Sequence, residues 1–212
     1  MTGDRSFSIE EALTHLHRVD PKLGKVMDRV GPYDAPRRSD PYAALVRAIL
    51  FQQLAGAAAN AIQNRFFAIH PPEGRPPAPP ELLETTDEQF RAAGISRQKM
   101  GYLRDLASHV ADGRLKLDEL PTLDDDEVIQ RITAVKGLGE WSAHMFLMFH
   151  LGRPDVLPTG DLGVRNGMRI TYDLPEAPTP KQAVEIGAPW APFRSVGSWY
   201  MWRAGEPTAP DI

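Results

Sequence analysis

The stretch that most constrains the fold of this chain is residues 135–169, which opens with the glycine-punctuated segment VKGLG at residues 135–139. Gly137 and Gly139 have no side chains, so the backbone can bend tightly and a bulky anion can approach its N–H groups. An apolar helix is predicted to begin near Glu140, and its free N–H groups and positive dipole end favour the same anion. The pattern therefore predicts a hairpin between two helices that binds an anion such as a DNA phosphate.

The rest of the chain is dominated by helical periodicity. Apolar residues recur at helical spacing through most segments, and no strand signal stands out. Ser8 with Glu11, Asp40 and Asp124 stand where helix N-caps are expected. Residues 71–80, PPEGRPPAPP, interrupt this pattern and predict an extended surface loop. The sequence therefore predicts an all-α fold.

Composition excludes several kinds of chemistry. The chain contains no cysteine, which excludes disulfides, thiolate catalysis, cysteine-ligated zinc and an iron–sulfur cluster. A net charge of -4 argues against binding nucleic acid by bulk electrostatics but leaves room for a local basic face. No apolar run is long enough to span a bilayer, and the N-terminus does not resemble a signal peptide. We therefore predict a cytoplasmic protein, associated with the nucleoid in a bacterium, that has no membrane partner.

Three further segments carry residues suited to nucleic-acid chemistry. A lone acid, Asp161, follows the apolar helix within LPTGDLGVR at residues 157–165. The polar pair in FQQL at residues 51–54 lies between two predicted helices, where a bend lets a side chain project outward instead of being buried without a partner. The C-terminal segment 190–203 is rich in tryptophan, which predicts a helix that closes the core.

In this order, the hairpin, Trp141, the apolar helix and the segment around Asp161 resemble the helix-hairpin-helix DNA glycosylases, and most closely their alkylpurine (3-methyladenine type II) branch. The resemblance covers about residues 40–205 and includes ILFQQ, GISRQK and RSVGSWYMWR at residues 49–53, 94–99 and 194–203. It implies one unit of two helical subdomains with a DNA- and base-binding cleft between them. Subdomain A would comprise about residues 1–35 and 160–212, and subdomain B about residues 36–159. The resemblance implies a compact form that would lack the N-terminal β-rich domain of larger bacterial relatives.

The resemblance also assigns roles to single residues. Asp161 would be the catalytic aspartate. Four residues would line the base pocket: Trp141, Trp202, Phe51 and Met145. The loop at Gln52, Gln53 and Leu54 would supply the wedge that fills the gap left by an extruded base, with Gln53 or Leu54 as the inserted side chain.

Further residues would contact the DNA backbone. The hairpin residues that meet a phosphate would be Lys136, Gly137, Leu138 and Gly139. Three basic residues would add DNA contacts: Arg97, Lys99 and Arg165. The family's hairpin also holds a monovalent cation through carbonyl groups, which by position would belong to Thr133, Val135 and Gly137. No other cofactor is expected.

The implied reaction needs few groups. An N-glycosidic bond breaks through an oxocarbenium-like transition state, which a carboxylate stabilises while it orients water. An alkylated purine already carries positive charge and leaves without a protonating partner, so Asp161 alone suffices. The lyase branch has a lysine two positions after the second hairpin glycine, where this chain has Trp141. The resemblance therefore implies a monofunctional, monomeric glycosylase that removes bases such as 3-methyladenine or 7-methylguanine from double-stranded DNA and has no lyase activity.

Two alternatives stay open at this level. A non-catalytic helix-hairpin-helix module that binds DNA or senses damage would share the hairpin but would need neither Asp161 nor an aromatic pocket. A glycosylase for deaminated, mismatched or etheno-modified bases would keep the catalytic acid and change the pocket. Two departures from the family pattern also stand out: Gly160 replaces an acid before Asp161, and Glu140 places negative charge beside the hairpin.

Overall fold

Twelve α-helices and no β-strand are found in the residues that this computed structural model describes, which are 7–36, 40–54, 56–72 and 74–205. The all-α prediction is therefore confirmed. None of the described helices is both long enough and apolar enough to cross a membrane. By their contacts the residues form two units, Met1–Arg37 with Leu147–Ile212, here the terminal unit, and Arg38–Phe146, here the central unit.

The helices of each unit are named here in chain order. The terminal unit begins with α1 (Ile9–Val19) and α2 (Pro21–Val30). The central unit contains α3 (Pro41–Phe51), α4 (Gly56–Phe67), α5 (Pro79–Glu84), α6 (Asp87–Ala93), α7 (Arg97–Ala111), α8 (Asp125–Thr133) and α9 (Glu140–Phe146). The terminal unit resumes with a π-helical segment (Leu147–Leu151), α10 (Leu162–Tyr172), α11 (Pro180–Gly187) and α12 (Arg194–Ala204).

Side-chain caps set the helix starts that the sequence predicted. The Ser8 hydroxyl oxygen accepts the N–H of Glu11 at 3.3 Å, and α1 begins one residue after Ser8. The Asp124 carboxylate accepts the N–H of Glu127 at 2.8 Å at the start of α8. Each bond satisfies a backbone N–H that has no partner within its own helix.

The proline-rich segment differs from its prediction at one end. Pro79 and Pro80 begin α5 and do not extend the loop, because proline needs no N–H partner in the first helical turn. The Glu81 carboxylate accepts the N–H of Ala78 at 2.7 Å and both terminal nitrogens of Arg75 at 2.7 and 2.8 Å. The bond from Arg75, followed by the bond from Ala78, lowers the pKa of Glu81 to about 2. These bonds tie the preceding loop to the helix start.

The second boundary between the units lies at residues 146/147, whereas the sequence suggested 159/160. The residues between these positions bond to the start of α12. The N–H of Ser195 donates to the Pro154 carbonyl at 2.9 Å, and the Ser195 hydroxyl accepts the N–H of Val156 at 2.9 Å. The Arg194 guanidinium binds the Asp155 carboxylate at 2.7 and 2.9 Å. These bonds assign this stretch to the terminal unit.

Helix α12 closes the core of the terminal unit, as its tryptophans predicted, and its residues Trp199, Tyr200 and Met201 are buried. It packs directly on the backbone of α10 at Gly163 and Gly167, which stand four residues apart and so face the same way. A Cβ atom at Gly167 would lie 2.0 Å from the Met201 carbonyl oxygen. Glycine is therefore required at this point of contact.

We expect Gly167→Ala to lower the free energy of unfolding by at least about 2 kcal/mol, because the added methyl group overpacks the α10 and α12 contact. Gly101→Ala, inside α7, is the matched control, since a Cβ there meets no atom within 4 Å. The control should stabilise the protein by up to about 1 kcal/mol through helix propensity. Denaturant titration of both variants measures the effect, and equal shifts for the two would contradict the packing account.

Candidate active site and DNA-binding hairpin

The predicted hairpin, residues 135–139, lies in the connection between α8 and α9 within the central unit. Gly137 has a φ of +89°, a backbone conformation that favours glycine. A Cβ atom at Gly137 would lie 2.3 Å from the Tyr102 ring. Leu138 is buried, and its N–H donates to the Val135 carbonyl at 3.1 Å. The sequence VKGLG therefore forms a tight turn whose glycine lies against an aromatic ring.

Residues on one side of helix α7 contact this hairpin. We call Lys99, Tyr102 and Asp105 the α7 stripe, because their spacing of three places them on one side of the helix. Besides the Tyr102 contact, the Asp105 carboxylate accepts the N–H of Lys136 at 2.8 Å. Sequence analysis missed Tyr102 and Asp105, although their regular spacing after Lys99 was a usable signal.

Lys99 was predicted to contact DNA, but its side chain bonds within the protein. Its half-buried ammonium group donates to the carbonyl oxygens of Leu50 at 2.6 Å and Gln52 at 2.8 Å. Burial lowers the pKa of Lys99. Since the last carbonyls of a helix lack intrahelical partners and attract cations, Lys99 terminates α3. The positive charge of Lys99 is therefore directed at carbonyl groups of the central unit.

The turn at residues 52–54 contains the three wedge candidates. The Gln52 side-chain nitrogen donates to the Gly137 carbonyl at 2.7 Å, so this side chain is bound to the hairpin. Gln53 is exposed and has a φ of +57°, which costs a residue other than glycine about 1 kcal/mol. Leu54 is 39% exposed, a large value for a leucine. Gln53 and Leu54 therefore remain the wedge candidates.

The proposed pocket residues of the central unit differ in their exposure to solvent and in their neighbouring side chains. Trp141 is 46% exposed, whereas Met145 is half-buried. The Arg47 guanidinium carbon lies 3.5 Å from the ring centroid of Phe51. This cation occupies one face of Phe51 and disfavours a positively charged base on that face.

Asp161 and Trp202, both in the terminal unit, are hydrogen-bonded to each other. The Trp202 indole N–H donates to Asp161 Oδ1 at 2.9 Å, and the Val164 N–H donates to the same oxygen at 2.8 Å. Asp161 is thereby the N-cap of α10. A Cβ atom at Gly163 would lie 2.8 Å from Trp202 Cδ1, so the glycine permits the indole to approach. The two donors orient the carboxylate at the first turn of the helix.

Of the remaining basic residues proposed to contact DNA, two are exposed to solvent and one is hydrogen-bonded within the protein. The side chains of Lys136 and Arg97 are exposed. The Arg165 guanidinium donates to the Pro178 carbonyl at 3.1 Å within the terminal unit. Lys136 and Arg97 are therefore better placed than Arg165 to meet a phosphate.

Two of the three carbonyls that the resemblance implies for a monovalent cation already accept a hydrogen bond. The Val135 carbonyl accepts the N–H of Leu138, and the Gly137 carbonyl accepts the Gln52 amide. Each oxygen has a second lone pair with which it could bind a cation. Among the described residues, no group of three or more histidine, aspartate or glutamate side chains could hold a metal ion.

The fold of the described residues is helical, and two of the helices are joined by a glycine hairpin, which defines a helix-hairpin-helix fold. An oriented acid, Asp161, lies at the start of a further helix. A protein-family model described as "HhH-GPD superfamily base excision DNA repair protein" matches residues 46–192 of this chain. This chain belongs to that superfamily.

Individual relatives agree with this assignment. The chain is 37% identical over 204 residues to DNA-3-methyladenine glycosylase 1 of Schizosaccharomyces pombe, covering 94% of this chain and 89% of the relative. A structure of 3-methyladenine DNA glycosylase from that yeast in complex with abasic DNA has a TM-score of 0.84 and 37% identity, covering 91% of this chain and 95% of the other. A DNA-3-methyladenine glycosidase structure from Bacillus halodurans has a TM-score of 0.81 and 34% identity, covering 95% and 92%.

We expect Gly137→Ala to lower the free energy of unfolding by about 2 kcal/mol or more, since it adds left-handed strain and a clash with Tyr102. It should also weaken binding to duplex DNA with an abasic-site analogue about ten-fold, equivalent to one lost contact. Gly139→Ala, whose Cβ would meet no atom within 4 Å, is the control for stability. Thermal melting and fluorescence anisotropy measure both effects, and equal stability of the two variants would refute the proposed role of Tyr102.

Proposed function

We propose that this protein is a monofunctional DNA glycosylase that hydrolyses the N-glycosidic bond of alkylated purines in double-stranded DNA. The observation that carries the proposal is the Asp161 carboxylate, oriented by the Trp202 indole and the Val164 N–H. Superfamily membership and the 3-methyladenine glycosylases among the relatives support the same activity. Capping of α10 accounts for the bond from Val164, whereas the bond from the Trp202 indole fixes the carboxylate beyond what a cap needs.

Asp161 would act on the sugar. As the bond from C1′ to the base nitrogen breaks, its electron pair goes to the base and neutralises the charge that alkylation placed on the ring. The sugar then carries positive charge, which the Asp161 carboxylate stabilises. Water attacks C1′, its proton passes to Asp161 and then to solvent, and an abasic sugar remains.

Base extrusion would precede this step, because stacking otherwise shields both the base and C1′. Gln53 or Leu54 would enter the duplex from the turn at 52–54 and fill the gap. The exposed Trp141 would stack on the extruded base, since an electron-poor ring stacks well on indole. The Gly137 and Gly139 N–H groups, with the Lys136 ammonium group, would hold a phosphate of the same strand.

We also propose that the carbonyls of Thr133, Val135 and Gly137 hold a monovalent cation. A bound cation would place positive charge beside the phosphate contact and strengthen it. A monomeric state and a cytoplasmic location complete the proposal. A gel-filtration mass corresponding to two or more chains would contradict the monomer.

The catalytic assignment predicts the behaviour of Asp161→Asn. Asparagine can still cap α10, so the variant should fold, but release of 7-methylguanine from methylated duplex DNA should fall about 100-fold or more. Asp173→Asn at the C-terminal end of the same helix is the matched control, since asparagine tolerates its left-handed backbone. Single-turnover assays measure both. Unchanged release by Asp161→Asn would exclude that residue as the catalytic acid.

The absence of lyase activity is a separate prediction. Trp141 occupies the position of the lyase lysine, and Lys136 lies before the first hairpin glycine, so we expect no amine at the position from which the lyase branch forms a Schiff base. Treating the protein with borohydride during turnover should trap no covalent adduct with DNA. A trapped adduct seen by denaturing electrophoresis would overturn the monofunctional assignment.

A further inference from the structure

Two loops of the central unit with different proposed tasks are joined by hydrogen bonds. Gln52, in the wedge turn at residues 52–54, bonds through its carbonyl oxygen to the Lys99 ammonium and through its side-chain nitrogen to the Gly137 carbonyl. One residue therefore links α7, the turn and the hairpin. No DNA contact needs to be assumed for any of these bonds.

The α7 stripe completes the connection. Lys99 holds the turn, Tyr102 lies against Gly137 and Asp105 accepts the Lys136 N–H. Because these three residues share one side of a single helix, the turn and the hairpin both pack against α7. The contacts form a closed ring that runs from α7 to the turn, from the turn to the hairpin and back to α7.

A second connection holds the turn from the side of α4. The Arg47 guanidinium of α3 donates to the side-chain oxygens of Asn60 at 3.2 Å and Gln63 at 3.0 Å. The two helices that flank the turn are thus bonded to each other. The left-handed backbone of Gln53 is kept within this frame, consistent with strain that the surroundings impose.

We propose that Lys99 and Gln52 are positioning residues that couple the wedge turn to the phosphate-binding hairpin. When the hairpin holds a phosphate, the ring of contacts fixes how far Gln53 or Leu54 enters the duplex. Lys99 acts on base extrusion through this coupling and does not touch DNA. This inference rests on the proposed glycosylase function and adds a division of labour among its residues.

The coupling has a consequence that simple destabilisation lacks. Extruding a paired base requires the wedge, whereas an unpaired base leaves the stack at lower cost. Loss of the coupling should therefore slow excision of a paired lesion and spare an unpaired one. A general loss of folded protein would reduce both rates by the same factor.

The first arm of the test compares two substrates with Lys99→Met, which keeps the length of the side chain and removes its charge. One duplex carries 7-methylguanine opposite cytosine, and the other carries it in a single-nucleotide bulge. We expect the single-turnover rate on the paired substrate to fall about ten-fold and the rate on the bulge to change less than about three-fold. An equal loss on both substrates would overturn the inference.

The second arm tests whether Lys99 contacts a phosphate. Each neutralised phosphate contributes about 0.9 to the slope of log K against log salt concentration. We expect Lys99→Met to keep the wild-type slope for duplex DNA with a tetrahydrofuran abasic-site analogue. Lys136→Met, whose ammonium group is exposed, is the matched control and should lower the slope by about one. A reduced slope for Lys99→Met would assign it to the DNA interface instead.

The third arm does not depend on catalysis. With 2-aminopurine beside the abasic-site analogue, saturating wild-type protein should raise the fluorescence as the wedge disrupts stacking, and Lys99→Met should give less than half of that rise. Gln52→Met removes only the bond to Gly137 and should behave in the same way, so it carries the test if Lys99→Met fails to fold. A wild-type rise in both variants would overturn the coupling. If the wild-type protein releases no base but the fluorescence differs as expected, the proposed function fails and the coupling stands.

Discussion

The contact between the Tyr102 ring and the backbone of Gly137 is the constraint on which the central unit depends. It requires a residue without a Cβ atom, and the φ of +89° independently favours the same residue. With the glycine held there, its carbonyl lies within reach of the Gln52 amide, and the Lys136 N–H lies within reach of Asp105. The hairpin, the wedge turn and α7 therefore adopt their positions together.

The terminal unit uses the same kind of contact for a different purpose. Gly163 lets the Trp202 indole approach the start of α10, and Gly167 lets the α12 backbone rest on the α10 backbone. The indole N–H then reaches Asp161 Oδ1 at 2.9 Å. In both units a missing side chain brings an aromatic ring against a backbone, and the proposed functional group is oriented as a result. Close backbone approach of this kind is a main use of glycine in folded proteins.

Local features of the sequence predicted the helices, because caps and apolar spacing act over a few residues. Ser8 and Asp124 could be identified as caps from the residues that follow them, and the hairpin from its two glycines. The role of Lys99 could not be predicted in this way. A lysine in the first turn of an amphipathic helix looks the same in sequence whether it faces water or carbonyls, and its partners, Leu50 and Gln52, are about fifty positions earlier in the chain. The 146/147 boundary was missed for the same reason, since it depends on bonds from Ser195 and Arg194.

The distribution of charge bears on how such a protein would find damage. The chain is acidic overall, Lys99 and Arg165 use their charges in internal bonds, and Asp105 and Glu140 place carboxylates at or beside the hairpin. In the proposed binding mode, attraction to undamaged DNA would depend on backbone N–H groups of the hairpin and on exposed cations such as Lys136. Preference for a lesion must come from contacts made only when a base has left the stack. In the proposed function, stacking of a positively charged base on indole, with the wedge filling the gap, would supply such contacts, and an undamaged base that is neutral would gain less from them.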